Sequence, residues 1–312
     1  MTEMYENYIF EGGSYKHRKL VELIEDLGGY IITKRIFAQE AQITFAAPIE
    51  DYEHIVACVK EIQGSIRKAP LLGTEIAVVA PTVTRHHLPH PLCDIAEFLR
   101  RRGAQTNMIG LARGVGRRIA QLTKRERALI EEHDVAVVCL GNFRRCIEEK
   151  VKLFADLNVP VVVTGLPEIK DDLEGCIYVS GIGRYPHRFK RLTEIDLLRN
   201  VADAVERAVK AKKEELSMDP PLVPPFFVKN EIANQVEDLK YTVSPGPIVL
   251  KLNGVRVKLL FDLYAKDVYN VRVLDYKLGE ISRIRRSQIR NYILVDLLPK
   301  SLLPRTMQTE AA

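Results

Sequence analysis

The chain is notable first for what it does not contain. No stretch approaches the ~20 consecutive apolar residues that a membrane-spanning helix needs, and the opening segment MTEMYENYIFEGGSYKHRK has early acidic residues and no apolar signal-type core. A cytoplasmic protein is therefore expected. Its five cysteines, Cys58, Cys93, Cys139, Cys146 and Cys176, include no CxxC pair and no ferredoxin-like run, so a local four-cysteine cluster is not written into the sequence. An odd count without a secretory signal also argues against a disulfide framework. There is no GxSxG elbow, no HExxH helix and no kinase signature. The absence of a Walker motif means that ATP hydrolysis would have to come from another protein. A formal charge of +5 over 312 residues is too small for non-specific nucleic-acid binding, and neither a repeat nor a low-complexity tract is present.

What is present is an ordinary globular composition, 46% hydrophobic and 28% charged, long enough for two or three domains. Residues 1–72 read as a small α+β unit. Its strands are Tyr8–Phe10, Gly29–Ile36 and Ala41–Ala47, and its helices are Lys16–Leu27 and Asp51–Ile62, an alternation of the ferredoxin-like or ACT-like type. Cys58 falls on the apolar face of the second helix and reads as core. Residues 73–216 alternate strand and helix as a Rossmann-like parallel sheet does. The strands are Glu75–Ala80, Thr106–Leu111, Val135–Leu140, Val159–Thr164 and Ile177–Ser180. The helices are Leu92–Arg102, Val115–Glu132, Cys146–Leu157 and Glu194–Lys213. The proline-rich segment 217–230 reads as an extended linker. Residues 231–303 read as β-rich, with a hairpin at Asn253-Gly254 and further strands at Val268–Asp275 and Ile293–Leu298. Residues 304–312 read as a flexible tail.

Two cysteines stand where an open α/β sheet places its chemistry. Cys93 follows the strand TEIAVVAP and the loop TVTRHHLPHP, and Cys146 follows the strand HDVAVVCL and a Gly141-Asn142 turn. Ligands of such sheets bind outside the carboxyl ends of the strands, where neighbouring crossovers diverge. If the first and third strands of this domain are adjacent, both cysteine loops face one crevice. The run Arg85–Cys93 adds His86, His87 and His90, and His with Cys suits zinc, iron or an iron–sulfur cluster. Cys93, Cys146, His90 and His87 are the candidate metal ligands. A histidine such as His86 would instead orient a ligand from behind. The alternative for Cys93 is a loop residue before a helix started by Pro91. Pairing with a histidine as a nucleophile is weaker, because no orienting third group is evident. Cys139, inside its strand, and Cys176, at the wrong end of its strand, read as structural.

A second constellation, Gly110–Arg127, opens a helix with Arg113, Gly114, Gly116 and Arg117, a plausible anion cradle. A docking surface for an acidic partner fits equally well. Gly181, Gly183 and Arg184 follow the last strand and could line the same crevice as Gly141 and Asn142. Arg144 and Arg145 either balance an anionic cluster or face water. The basic run Arg283–Arg290 carries no aromatic interleaving, so a solvated face or partner surface is preferred over nucleic acid.

The text YIFEGGSYKHRKLVELIEDLGGY, the segment from APLLGTEIAVVAPTVTRHHLPHPLCDIAEFLRRRGAQTNMIGLARGVGRRIAQ and the VVCLGN turn resemble the methanogenesis marker protein 7 family. They are similar, more distantly, to the operon protein C of methyl-coenzyme M reductase. The resemblance runs over most of the chain and is most specific from Gly73 to Gln121. It implies an accessory subunit of the ATP-dependent complex that reductively activates methyl-coenzyme M reductase. Such a subunit would bind an iron–sulfur cluster, large and nitrogenase-precursor-like, and relay electrons for reduction of the enzyme's nickel cofactor. The expected partners are the reductase, its operon protein C, other methanogenesis marker proteins and an ATPase component, with neither membrane nor nucleic acid. The resemblance carries the ligand role to Cys93 first and Cys146 second. A metal-free structural scaffold of the same complex and a nucleotide- or anion-binding protein are the alternatives.

Overall fold

A computed structural model describes residues 5–80, 89–111, 122–169, 173, 175–183, 191–242 and 246–304, with backbone alone for Phe37, Pro89, His90 and residues 191–193. The chain divides into two compact units. One is Met1–Leu72 with Arg101–Ala104, and the other is Gly73–Arg100 with Gln105–Ala312.

The first unit runs β1 (Tyr5–Gly13), α1 (His17–Asp26), β2 (Tyr30–Phe37), β3 (Glu40–Pro48), α2 (Tyr52–Glu61) and β4 (Ser65–Lys68). Its antiparallel sheet has the order β2-β3-β1-β4, the ferredoxin-like βαββαβ arrangement. Alternation in β1 and β3 sends Tyr8, Phe10, Ile43 and Phe45 into one core with Leu20 and Ile24 of α1 and Ile55 and Val59 of α2. Cys58 is buried in that core, as its position on the apolar face predicts. The strand β4 escapes the sequence pattern because SIRK has a single apolar residue.

The second unit begins with β5 (Glu75–Ala80), α3 (Pro89–Arg101), β6 (Gln105–Gly110), α4 (Lys124–Glu131), β7 (Val135–Gly141), α5 (Arg144–Val151), β8 (Val161–Gly165), β9 (Cys176–Val179) and α6 (Arg191–Met218). The sheet is parallel throughout, in the order β6-β5-β7-β8-β9. One face packs Ala77, Val79, Val138 and Val163 with Ile130, Ile147 and Phe154. The continuous apolar strands are what a sheet covered on both faces requires. α4 is described only from Lys124, where Thr123 and Glu126 form a reciprocal capping box. The expected helix start at Val115 lies outside the described residues.

The chain continues through α7 (Pro225–Gln235), β10 (Ile248–Lys251), β11 (Gly254–Leu260), α8 (Phe261–Asn270), β12 (Arg272–Val273), β13 (Tyr276–Lys277), α9 (Leu278–Ile281), β14 (Ser282–Arg286) and β15 (Tyr292–Leu297). An antiparallel sheet of order β10-β11-β15-β14 shares a core with α7, α8 and α9 through Val228, Ile232, Val255, Val257, Val268, Ile281, Ile293 and Val295.

Three expectations are corrected here. The segment 217–230 is not an extended linker: α6 runs on to Met218, and α7 starts at Pro225. Proline at the first helical position forfeits no hydrogen bond, and Val223 and Val228 are core residues. Residues 73–100, 105–216 and 231–303 lie in the same compact unit. The expected strand Val268–Asp275 begins inside a helix, because Phe261, Tyr264 and Val268 recur at helical spacing over a run free of Gly and Pro. The hairpin exists, but its two-residue turn is Leu252-Asn253, with Lys251 paired to Gly254. Gly254 is needed for a different reason. A Cβ there would lie 1.9 Å from the Val295 carbonyl oxygen of the neighbouring strand.

Candidate functional site

The adjacency assumed from the sequence is present: β5 and β7 pair in parallel, Ile76 opposite Val135 and Val79 opposite Val138. From this pair α3 leads outward to β6 and α5 outward to β8, which flank it on opposite sides. The two crossovers diverge, and the carboxyl ends of β5 and β7 form the switch point where such sheets bind ligands. Each diverging helix carries one of the candidate thiols near its start. Cys93 is the fifth residue of α3. It is exposed on the face opposite the buried Ile95, Ala96 and Leu99. Cys146 is the third residue of α5, half-buried next to the buried Ile147. Neither forms a disulfide.

Backbone closes the carboxyl side of the sheet. The Leu166 N–H donates to the Gly141 carbonyl at 2.9 Å, and the Ile182 N–H donates to the Gly165 carbonyl at 3.0 Å. Gly141 has a positive φ of 88°, and among the described residues no atom lies within 4 Å of where its Cβ would be. A Cβ on Gly183 would lie 2.6 Å from Asn142 Oδ1. Gly141, Asn142, Gly181 and Gly183 are thus brought together beyond β7, β8 and β9. His86, His87, Arg113, Gly114, Gly116, Arg117 and Arg184 lie outside the described residues. His90 falls in the first turn of α3, and its side chain is likewise outside them. Among the described residues, no three His, Cys, Asp or Glu side chains gather as a metal site. Arg144 and Arg145 turn along their own helix, to Glu148 at 2.7 Å and to Glu149 at 3.2 Å, a solvated face rather than a counter-charge.

The other cysteines take the structural role read for them. Burial pushes the Cys139 thiol up to about 11. Burial also pushes Cys176 to about 11.

A buried polar constellation that no sequence motif singles out sits at the opposite, amino edge of the sheet. Arg256 on β11, 2% exposed, donates from Nε and Nη2 to Glu75 at 2.9 Å each. It donates from Nη1 to Glu132 at 3.0 Å and to the Ser287 hydroxyl. Asp134 accepts the backbone N–H of Glu75 at 2.8 Å and that of Leu252, in the β10–β11 turn, at 3.1 Å. His133 Nε2 faces Asn107 Nδ2 at 3.0 Å, and its Nδ1 lies 3.1 Å from the Leu129 carbonyl. That arrangement suits a neutral ring, and desolvation lowers its pKa to about 4. Desolvation raises Asp134 to about 6. The one signal available in the sequence was Glu132-His133-Asp134 immediately before a buried strand. Arg256, between Val255 and Val257, reads there as the wet side of an alternating strand. Arg256, Glu75, Glu132 and His133 are each at most 2% exposed, and this network reads as an internal joint rather than a substrate site.

Comparison with known proteins places the chain. A family model for methyl-coenzyme M reductase operon protein C matches residues 5–271. An uncharacterized protein of Methanocaldococcus jannaschii is 49% identical over 309 residues, covering 99% of both chains. Among solved structures, a formyltetrahydrofolate deformylase from Burkholderia mallei is 7% identical, with a TM-score of 0.25 over 66% of this chain and 56% of that one. A phospho-2-dehydro-3-deoxyheptonate aldolase from Thermotoga maritima is 9% identical, with a TM-score of 0.18 over 62% of this chain and 76% of that one. Neither structural likeness carries functional weight. No helix among the described residues is long and apolar enough to cross a membrane. The chain belongs to the methyl-coenzyme M reductase operon protein C family, which links it to methyl-coenzyme M reductase and methanogenesis.

Proposed function

We propose that the chain is an accessory subunit of the ATP-dependent complex that activates methyl-coenzyme M reductase, and that it holds an iron–sulfur cluster at the carboxyl edge of its parallel sheet. The observation that carries the reading is the switch point: β5 and β7 are neighbours, so the helices bearing Cys93 and Cys146 leave the sheet from one crevice in opposite directions. The donor chemistry fits, since both are free thiols and thiolates are the usual ligands of iron–sulfur clusters. The space that the described residues leave open at Gly141 is consistent with a bulky inorganic group. Cys93 and Cys146 would hold the cluster from its two sides. Further ligands would come from His87 or His90, or from a partner subunit. When bound, a cluster of this kind supplies one-electron transfer. The protein's own contribution is to fix the thiols, exclude water and present the cluster to its partners. Those partners would be methyl-coenzyme M reductase, related operon C and marker proteins, and an ATPase component, all in the cytoplasm.

The deciding experiment measures iron and sulfide content, with EPR, on the complex purified anaerobically with its native partners. Cys93→Ala and Cys146→Ala are each expected to lower the iron content and alter the spectrum while the fold is retained. Iron and spectrum unchanged in both variants would overturn the reading and leave a metal-free scaffold.

A further inference from the structure

The Arg256 joint has a charge arithmetic that constrains how the second unit can move. Glu75 opens β5 and Glu132 leads into β7, so their carboxylates belong to neighbouring strands of the parallel sheet. Both are essentially sealed from solvent, Glu75 at 2% and Glu132 at 0% exposure. Two ionised carboxylates cannot sit side by side in a dry interior without a cation. The cation that both of them bind is Arg256, which comes from a different sheet. The other charged and titratable groups around the pair are His133 and Asp134 from the α4–β7 connection and Lys251 of β10. Lys251 is drawn 3.3 Å from Asp296 of β15, and Asp296 is also held by Arg285 at 2.7 Å. Ser287 donates to Glu132 at 2.7 Å, and the Gln288 N–H donates to its other oxygen at 2.6 Å. Every contact to the carboxylates from the C-terminal sheet side therefore favours the ionised form. Consistent with this, Glu75 lies below the usual carboxylate range: burial acts to raise it, and the Arg256 guanidinium outweighs that.

We propose that this joint is a proton-coupled interlock. The sheet β10-β11-β15-β14 stays seated on the amino edge of the parallel sheet while Arg256 lies between the two carboxylates, and unseating it transfers a proton from solvent onto the Glu75–Glu132 pair. The interlock fixes the register of the two sheets at the edge away from the carboxyl-side crevice. It holds whether or not a cluster binds there. A joint that relied on packing alone would be indifferent to the protonation of these two residues.

The test is thermal unfolding of the full chain from pH 8 to pH 5, comparing Arg256→Met with the protein that keeps Arg256. Arg256 also lowers the His133 pKa, so both proteins carry His133→Gln, and the difference between them reports on the carboxylate pair. At pH 8 the variant is expected to melt lower by on the order of 10 °C. The gap should narrow steadily towards pH 5, as the uncompensated pair takes up a proton. A gap that stays constant across this range would overturn the proposal. If the single variant does not fold at pH 8, the triple variant Arg256→Met, Glu75→Gln, Glu132→Gln decides. Folding at pH 8 with a pH-independent gap supports the interlock, and a triple variant no more stable than Arg256→Met refutes it.

Discussion

Replacing Gly254 separates two reasons for a glycine in a hairpin. If Gly254 served the turn, as the Asn-Gly pair suggests from sequence, asparagine would substitute well, because it tolerates the left-handed conformation. The structure gives a different reason. The turn is Leu252-Asn253, and Gly254 is already in β11, paired with Asp296 of β15. A Cβ at 254 would stand 1.9 Å from the Val295 oxygen, 3.0 Å from its carbonyl carbon and 3.2 Å from the Asp296 Cα. The obstacle is backbone, and Val295 is held on both sides, by Val255 of β11 and Ile284 of β14. The β11–β15 pair must therefore separate locally. Overpacking costs about 1–3 kcal/mol. Weakening the adjacent bond from the Leu297 N–H to the Asn253 carbonyl, now 2.8 Å, adds about 1 kcal/mol. Gly254→Ala and Gly254→Asn should each lower the thermal midpoint by roughly 10 °C at ~2–4 °C per kcal/mol. Gly73 is the control. It has a positive φ of 75° and no atom within 4 Å of an added Cβ, so Gly73→Ala should cost only backbone strain of about 1 kcal/mol. Circular dichroism melting curves measure all three. Gly254→Asn melting with the unmodified protein, or Gly73→Ala costing as much as Gly254→Ala, would refute the close-approach argument.

Three further outcomes follow from the same geometry. His133 has its folded pKa lowered from 6.5 to about 4, so its contribution to stability is present above 6.5 and lost as pH falls towards 4. Its size is about 3 kcal/mol. Denaturant titrations at pH 7 and pH 4.5 should show a smaller acid loss in His133→Gln. Thr123→Ala removes a cap in which Thr123 Oγ1 accepts the Glu126 N–H at 3.1 Å and Glu126 accepts the Thr123 N–H at 2.8 Å. A loss of about 1 kcal/mol is expected from chemical denaturation, whereas Glu126→Gln, which preserves the box, should cost less. Iodoacetamide at pH 8, mapped by peptide mass spectrometry, should modify the exposed Cys93 first. It should reach Cys139 and Cys176, whose thiols burial raises to about 11, only after unfolding.

The sequence by itself determined the local elements and the family. Continuous β-branched runs such as Glu75–Ala80 and Val135–Gly141 have no use except as buried strands, and their alternation with helices leaves a parallel sheet as the outcome. The βαββα order of the first unit, up to the missed strand β4, and the helices that begin near Cys93 and Cys146 are equally local, because periodicity acts over a few residues. What the sequence could not supply was partnership between distant segments. Strand order, and with it the shared crevice of the two cysteine helices, depends on which strands pair, and parallel strands carry little in their side chains to choose a neighbour. The proline-rich segment became α7 because its apolar face found a core built from residues up to Leu303. Gly254 became indispensable through a strand some forty residues away. Arg256 lies 181 residues from Glu75 and looks like a solvent-facing strand residue. Only the tertiary fold seals it from water and makes one guanidinium the shared counter-charge of two buried carboxylates, because the energy of a charge is set by its surroundings and not by its place in the chain.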